Sequence, residues 1–234
     1  MLNNLIIAHR GIHDNENIPE NSILAFRKAI RNKLPIEFDI HITKDNKLVV
    51  FHDDNLKRMT NVDKNIQELD FNEIRRLTLL DTNEKIPTLK EVLDLVSGKV
   101  LIDIEIKNTK KKKLIVKLLL EELDNYNGEV IIKSFNPIIM KKIKNTTNKY
   151  KLGLLLTNSS NSRLLNKVYS TSIFLRYLKP DFIAINKRML TKYYYKRIKD
   201  KYSIFVWTIK KKEELNKYQT KYPDISCLCN NLLY

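Results

Sequence analysis

The stretches Ile36–His41 and Leu48–Asp53 are too close in the chain to be parallel neighbours, and this constrains the fold more than any other feature. In the first, Ile36, Phe38 and Ile40 alternate with Glu37, Asp39 and His41, which is the period of a strand with two faces. Lys44-Asp45-Asn46-Lys47 reads as a turn, and Leu48-Val49-Val50-Phe51 as a returning strand. A parallel crossover needs roughly a dozen or more residues, so the pair must be an antiparallel hairpin. Folding it about Asp45-Asn46 is expected to bring His52 level with Asp39.

The rest of the chain alternates strands and helices. Strands are expected near Leu5–Ala8, Val100–Ile106, Glu129–Ser134, Lys151–Leu156, Phe182–Ile185, Ser203–Thr208 and Ile225–Leu228. Helices are expected from Asn21 or Ser22 to Lys33, from Thr88 to Val96, and over Lys110–Leu123, Pro137–Lys144, Arg163–Tyr169, Thr191–Lys199 and Lys211–Gln219. Thr88 and Glu91 have the spacing of a capping box, and Gly98 ends that helix. Residues 54–85 read as polar and irregular, with one short helix near Phe71–Leu77. With the hairpin pair this makes nine strands. The return leg cannot be a barrel strand, because no crossover precedes it. Eight parallel strands remain, and the expected fold is an α/β (β/α)8 TIM barrel with a small insertion, about residues 43–85, after the second strand. The whole chain, 1–234, is read as one domain. A doubly wound open sheet is the alternative, but no Gly-rich phosphate loop follows the first strand.

Charge and cysteine usage narrow the setting. Lys and Arg number 43 against 27 Asp and Glu, a net charge of +16. That excess fits either solvated lysine faces from AT-biased coding or a weak attraction to an anionic membrane surface. No zinc-finger or RNP aromatic signature points to specific nucleic-acid binding. Cys227 and Cys229 stand at i, i+2 in one strand, a poor geometry for a mutual disulfide, and read as buried free thiols. No apolar run reaches the roughly 18 residues of a membrane span, and the N-terminus has no signal-peptide pattern, so the expected compartment is the cytoplasm.

Chemistry-bearing residues collect where the strands end. A TIM barrel places its site at the C-terminal ends of its strands. His9-Arg10 closes the first strand, Glu37 and Asp39 lie near the end of the second, and Asp103, Glu105 and Lys107 share the inward face of the next. Like charges about 4 Å apart repel by roughly 4 kcal/mol at an effective dielectric near 20. Glu37, Asp39 and Glu105 therefore need a compensating cation, and an all-oxygen donor set suits Mg2+ or Ca2+ better than zinc. His9 and His52 beside them suit a general acid and a general base acting on phosphate oxygens. Arg10 offers a fork of donors and Lys107 a point charge for phosphate. His13 reads as a loop residue and His41 as exposed or supporting. Trp207 either walls a substrate tail or fills the barrel.

These residues, with His9-Arg10-Gly11, Pro19-Glu20-Asn21-Ser22, Glu37-Phe38-Asp39, Thr43-Lys44-Asp45, His52-Asp53, Ile86-Pro87-Thr88-Leu89 and Glu105-Ile106-Lys107 in order, resemble the glycerophosphodiester phosphodiesterase family. Ser134-Phe135 and Val206-Trp207-Thr208 match weaker signals of that family. The resemblance implies a phospholipase C-like TIM barrel and a divalent metal on Glu37, Asp39 and Glu105. It implies His9 and His52 as the acid–base pair, with Arg10 and Lys107 on the phosphate. It also gives Glu20 a polar role near the metal or Arg10. The implied reaction converts a glycerophosphodiester to sn-glycerol 3-phosphate and an alcohol. Rival readings are a phospholipase D-like enzyme on lysophospholipids and a non-catalytic phosphodiester- or membrane-binding barrel. Where the family has Thr-Asp after the last strand this chain has Cys229-Asn230, and it has Lys210 where Asn is common. These departures are expected to touch the distal substrate pocket and not the metal centre.

Overall fold

The computed structural model describes residues 2–157 and 172–230. Its centre is a closed ring of eight parallel strands: β1 (Ile6–His9), β2 (Ile36–Ile42), β4 (Ile102–Ile106), β5 (Val130–Ser134), β6 (Lys151–Leu156), β7 (Phe182–Asn186), β8 (Ser203–Ile209) and β9 (Ile225–Cys229). The ring closes where Ala8 and His9 pair with Ile36 and Glu37. β3 (Leu48–Val50) stands outside it, antiparallel to β2. The expected barrel with a surplus hairpin strand is therefore the fold.

Helices wrap the ring: α1 (Ile23–Arg31), α4 (Leu89–Val96), α5 (Lys112–Asp124), α6 (Pro137–Thr146), α7 (Ser172–Leu178), α8 (Lys192–Ile198) and α9 (Lys212–Lys221). Local chemistry sets their ends. The Ser22 hydroxyl accepts from the Ala25 N–H at the start of α1, and Thr88 and Glu91 close the capping box on α4. Alternate strand residues such as Ile36, Phe38, Ile40, Ile102, Ile104 and Ile106 face outward into one apolar layer beneath the helices. Burying each such side chain contributes roughly 1.5–3 kcal/mol. α7 was not anticipated from the sequence, and the helix expected at Arg163–Tyr169 lies outside the described residues. The two cysteines face that outer layer as buried free thiols.

The hairpin register differs from expectation by one residue. Ile40 pairs with Val50 and Ile42 with Leu48, so Asp39 lies opposite Phe51, whose N–H donates to the Asp39 carbonyl at 3.0 Å. The cause is the turn. Thr43 and Lys47 face each other across a three-residue loop with Asn46 left-handed at φ 67°. The Thr43 hydroxyl donates to Asp45 and accepts from the Lys47 N–H, at 2.6 and 2.9 Å, which favours the odd loop length over an even one. A one-residue slip would turn His52 to the opposite face if the strand continued. It does not: β3 stops at Val50, and His52 follows irregular backbone.

The insertion is also more ordered than its polar sequence suggested. It carries α2 (Lys57–Thr60), a 3-10 turn at Ile66–Glu68 and α3 (Phe71–Arg76). Phe51, Leu56, Met59, Ile66, Ile74 and Ile86 gather in a second small core. Phe51 ends the apolar run Leu48–Phe51, but Leu56, Met59, Ile66, Ile74 and Ile86 each stand apart from other aliphatic residues, so no periodic stripe announced this core.

Inside the ring the strands divide the work. Ile7, Ile131, Leu155, Phe182, Ala184, Phe205 and Leu228 form an apolar half, whereas β2 and β4 contribute carboxylates. Phe182 and Phe205 stack at 4.5 Å between centroids. Gly153 makes room for them, because a Cβ there would fall 2.1 Å from a Phe182 ring carbon. Gly153→Ala is expected to destabilise the fold by about 1–3 kcal/mol, read as a lower urea midpoint. An unchanged midpoint would show that the stack has slack.

Candidate active site

The short strand-end motif of β1 builds the first wall. Arg10 adopts φ 59°, uncommon for a residue other than glycine, and Gly11 follows at φ 79°. A Cβ on Gly11 would lie 2.8 Å from Ala25, so glycine lets α1 pack close behind the loop. The bend aims the Arg10 N–H at Glu37 Oε2, 3.1 Å away, and the Arg10 Nη1 donates to Glu20 Oε1 at 2.8 Å. Arg10 Nε lies 3.5 Å from Asp39 Oδ2. Asn21 donates to that same oxygen at 3.0 Å. The Pro19–Ser22 motif thus splits its roles: Glu20 holds Arg10, Asn21 holds Asp39, and Ser22 caps α1.

β2 and β4 run side by side, with Glu37 opposite Asp103 and Asp39 opposite Glu105. Ligand oxygens of Glu37, Asp39 and Glu105 all lie within 4.8 Å of one another, and all three residues are buried. Lys107 places its ammonium 2.8 Å from Asp39 Oδ1 and 2.6 Å from Glu105 Oε1. Beneath them Lys133, from β5, lies 2.5 Å from Asp103 Oδ2 and 3.0 Å from Glu37 Oε1, fully buried. Burial works against its charge, but Asp103, Glu37 and Glu105 hold it protonated. Burial likewise works against the Asp39 carboxylate, yet Lys107, His52 and Arg10 hold its carboxyl well below the usual range. Glu105 goes the other way, raised by burial first and then by Asp39 and Glu37 against the pull of Lys107.

The two candidate histidines are each oriented through Nδ1. His9 donates from Nδ1 to Asn230 Oδ1 at 2.7 Å, which leaves Nε2 as its basic nitrogen, 3.9 Å from Glu37 Oε2. Burial first, then the Arg10 charge, pushes His9 well below the ordinary imidazole value. The Cys229-Asn230 departure therefore reaches the centre itself and not only a distal pocket. His52 donates from Nδ1 to Asp53 Oδ1 at 2.6 Å. His52 is among the groups that lower the Asp39 carboxyl, so the irregular step after β3 leaves it within electrostatic reach of that carboxylate.

The remaining sequence candidates fall at the edges. His41 is buried, its Nε2–H donating to the His52 carbonyl at 3.3 Å, and burial lowers its pKa to about 4. It is a backbone support for His52 and is not exposed. His13 is a loop residue, also buried. Trp207 is half-buried at the mouth, packed on the apolar half of the interior, with its ring edge-on to Phe135 at 5.8 Å. Glu20 stands beside Arg10; its second oxygen accepts from Asn15 at 2.8 Å, and it is not among the clustered carboxylates.

Sequence reading did not single out Lys133 and Arg58, and it assigned Asn230 to a distal pocket and not to His9. Lys133 carries a readable signal, since it occupies an inward position in the alternating strand Val130–Ser134. Asn230 and Arg58 meet partners 221 and 38 residues away, and spacing could not reveal that.

The donor set fits a divalent cation. Ion pairs join six carboxyl groups (Glu20, Glu37, Asp39, Asp53, Asp103 and Glu105) to four permanent cations (Arg10, Arg58, Lys107 and Lys133), and burial pushes the Asp103 carboxyl up to about 7 against the pull of Lys133. Asp39 Oδ1 is buried and accepts no aligned hydrogen bond. Three clustered carboxylates are the oxygen ligands that Mg2+ and Ca2+ prefer.

The outer part of this network has a testable pH signature. Burial opposes ionisation of Glu20, but Arg10, Arg58 and Asn15 lower its carboxyl from 4.5 to about 2. Its stabilising contribution, on the order of 3 kcal/mol, is full above the unfolded value and is lost as pH falls through the folded one. Glu20→Gln is therefore expected to lose stability to urea at pH 7. Its deficit against the parent should shrink as pH falls from about 4.5 toward about 2. A deficit constant over that window would contradict the assignment.

Comparison with known proteins gives the family. The model of the glycerophosphoryl diester phosphodiesterase family matches residues 9–224. A glycerophosphodiester phosphodiesterase of Caldanaerobacter subterraneus subsp. tengcongensis is 33% identical over 228 residues, covering 91% of this chain and 88% of that one. The solved glycerophosphodiester phosphodiesterase of Thermotoga maritima superposes with a TM-score of 0.77 at 26% identity, covering 99% of this chain and 96% of that one. An Oleispira antarctica phosphodiesterase, solved with the product sn-glycerol-3-phosphate, shares the fold at a TM-score of 0.82 and 20% identity, covering 98% and 94%. With the family model spanning nearly its whole length, the chain belongs to the glycerophosphoryl diester phosphodiesterase family.

Proposed function

We propose that this enzyme hydrolyses a glycerophosphodiester to sn-glycerol 3-phosphate and an alcohol, with Mg2+ or Ca2+ held by Glu37, Asp39 and Glu105. The observation that carries the reading is the buried carboxylate cluster, flanked by two imidazoles whose Nδ1 atoms are already engaged. When bound, the cation supplies charge neutralisation at a phosphate oxygen.

The chain's own groups supply the rest. Arg10 brings a guanidinium, and Lys107 an ammonium, to the side of the cluster where phosphate charge grows. Asn230 and Asp53 fix the tautomers of His9 and His52, so both rings present Nε2. One ring takes the proton of the nucleophile and the other gives a proton to the leaving alkoxide, whether water attacks directly or a substrate hydroxyl first closes a cyclic phosphate. Burial and the neighbouring Arg10 favour a neutral His9. The aromatic edge formed by Trp207 and Phe135 lines the apolar side of the mouth and suits the substrate's carbon skeleton.

The basic character of the chain adds a weaker attraction to anionic lipid surfaces. Lys110, Lys113, Arg188, Lys192, Lys210 and Lys211 are exposed on loops and first helical turns that follow β4, β7 and β8, on the side where the strands end. No described helix is long and apolar enough to cross a membrane. Sedimentation with vesicles containing phosphatidylserine should exceed that with pure phosphatidylcholine, and the difference should vanish at about 0.5 M salt. Equal sedimentation with both would remove this surface role.

The hydrolytic reading is checked with sn-glycero-3-phosphocholine, following release of sn-glycerol 3-phosphate with and without EDTA. Turnover should cease with the chelator and return with Mg2+ or Ca2+. His9→Ala and His52→Ala should each lower kcat at least about 100-fold while folding normally. Chelator-resistant turnover would remove the metal, and near-parent turnover in either variant would remove that histidine from the chemistry.

A further inference from the structure

Arg58 belongs to the insertion, yet its side chain ends at the active site. It sits in α2, between Leu56 and Met59, both buried in the insertion's own core. The helix is closed by Asn61 in the left-handed conformation, φ 64°, and by the Thr60 hydroxyl donating to the Leu56 carbonyl at 3.0 Å. Packing therefore fixes the backbone from which Arg58 reaches.

The guanidinium meets three partners. Its Nε donates to Asp53 Oδ2 at 2.6 Å, its Nη2 to Glu20 Oε1 at 2.6 Å, and its Nη1 to the Met59 sulfur at 3.1 Å. Each acid continues inward. Asp53 uses its other oxygen to hold Nδ1 of His52, and Glu20 shares Oε1 with Nη1 of Arg10. The result is an unbroken chain, His52–Asp53–Arg58–Glu20–Arg10, from one proposed proton-transfer group to one proposed phosphate-binding group.

An isolated, half-exposed ion pair contributes little, but a planar fork joining two carboxylates in fixed directions constrains both. Without Arg58, Asp53 and Glu20 would repel each other; Glu20 would keep Arg10 and Asn15, but Asp53 would keep only His52 and be free to rotate. Asp53 would then no longer hold one tautomer of His52. A lysine keeps the charge but lacks the fork, so it cannot restrain both acids.

We infer that Arg58 is a positioning residue, through which the insertion sets the orientation of His52 and Arg10 together. The inference rests on the hydrolytic reading above for its kinetic consequence, but its structural consequence can be read without turnover. The experiment compares the parent with Arg58→Gln, Arg58→Lys, Asp53→Asn and the double variant Arg58→Gln/Asp53→Asn. One measurement is kcat and KM on sn-glycero-3-phosphocholine. The other is the proton–nitrogen correlation spectrum of the His52 ring, which reports the tautomer whether or not the protein turns over.

Arg58→Gln is expected to lower kcat at least about 20-fold and to convert His52 from an Nδ1-protonated ring to a mixture of tautomers. Arg58→Lys should fold like the parent and recover only part of kcat. The double variant should fall no more than about threefold below the worse single one, because both changes break the same chain. An unchanged ring spectrum in folded Arg58→Gln overturns the inference. So does a kcat within about threefold of an active parent, or losses that multiply in the double variant. If Arg58→Gln does not fold, the ring spectrum and kcat of Arg58→Lys decide by the same criteria. A parent without turnover contradicts the hydrolytic reading alone, and the ring spectrum then decides for Arg58.

Discussion

Everything at the mouth of this barrel depends on negative charge packed where water is largely excluded. Glu37, Asp39, Asp103 and Glu105 come from two adjacent strands and point the same way. Their mutual repulsion in a medium of low polarity would cost several kcal/mol per pair at an effective dielectric near ~20. Lys133 compensates from below and Lys107 from above, each joining two carboxylates. Buried ion pairs of this kind do little for net stability, since desolvation offsets the attraction. Their effect here is positional. Lys133 anchors Glu37 Oε1 and leaves Oε2 to the Arg10 N–H and the space beside His9. The remaining repulsion among Glu37, Asp39 and Glu105 is what a divalent cation would remove.

Much of this was legible because β-strands write their faces into the sequence. The alternation in Ile36–Ile42 and Ile102–Ile106 separated the carboxylates from the isoleucines, and the short Thr43–Lys47 link forced the hairpin that left eight strands for the ring. What failed was finer than that alternation. Whether His52 lies level with Asp39 depends on an odd or even loop, which two side-chain hydrogen bonds from Thr43 decide. Lys133 looked like one more lysine in a chain with 43 basic residues, although its inward position was readable. The contacts of Asn230 with His9 and of Arg58 with Glu20 and Asp53 were not readable, because they exist only once the ring has closed and the insertion has folded over it.

The insertion thereby gains a meaning beyond a surplus strand. Its small core around Leu56, Met59 and Ile66 supports the segment that carries His52, Asp53 and Arg58. The barrel contributes His9, Arg10 and the carboxylates. The site is assembled from two packed bodies of side chains, and the contact between Arg58 and Glu20 ties one to the other. The neutral Asn230 behind His9 and the charged Asp53 behind His52 give two similar rings different surroundings.

The claim that the carboxylate cluster exists to hold a divalent cation is tested most directly by diffraction from crystals grown with Mn2+, an oxygen-preferring ion with a strong anomalous signal. The account predicts an anomalous peak bound by an oxygen from each of Glu37, Asp39 and Glu105, at roughly 2.0–2.6 Å. A clean map with no peak there, and with Lys107 and Lys133 alone balancing the carboxylates, would contradict it.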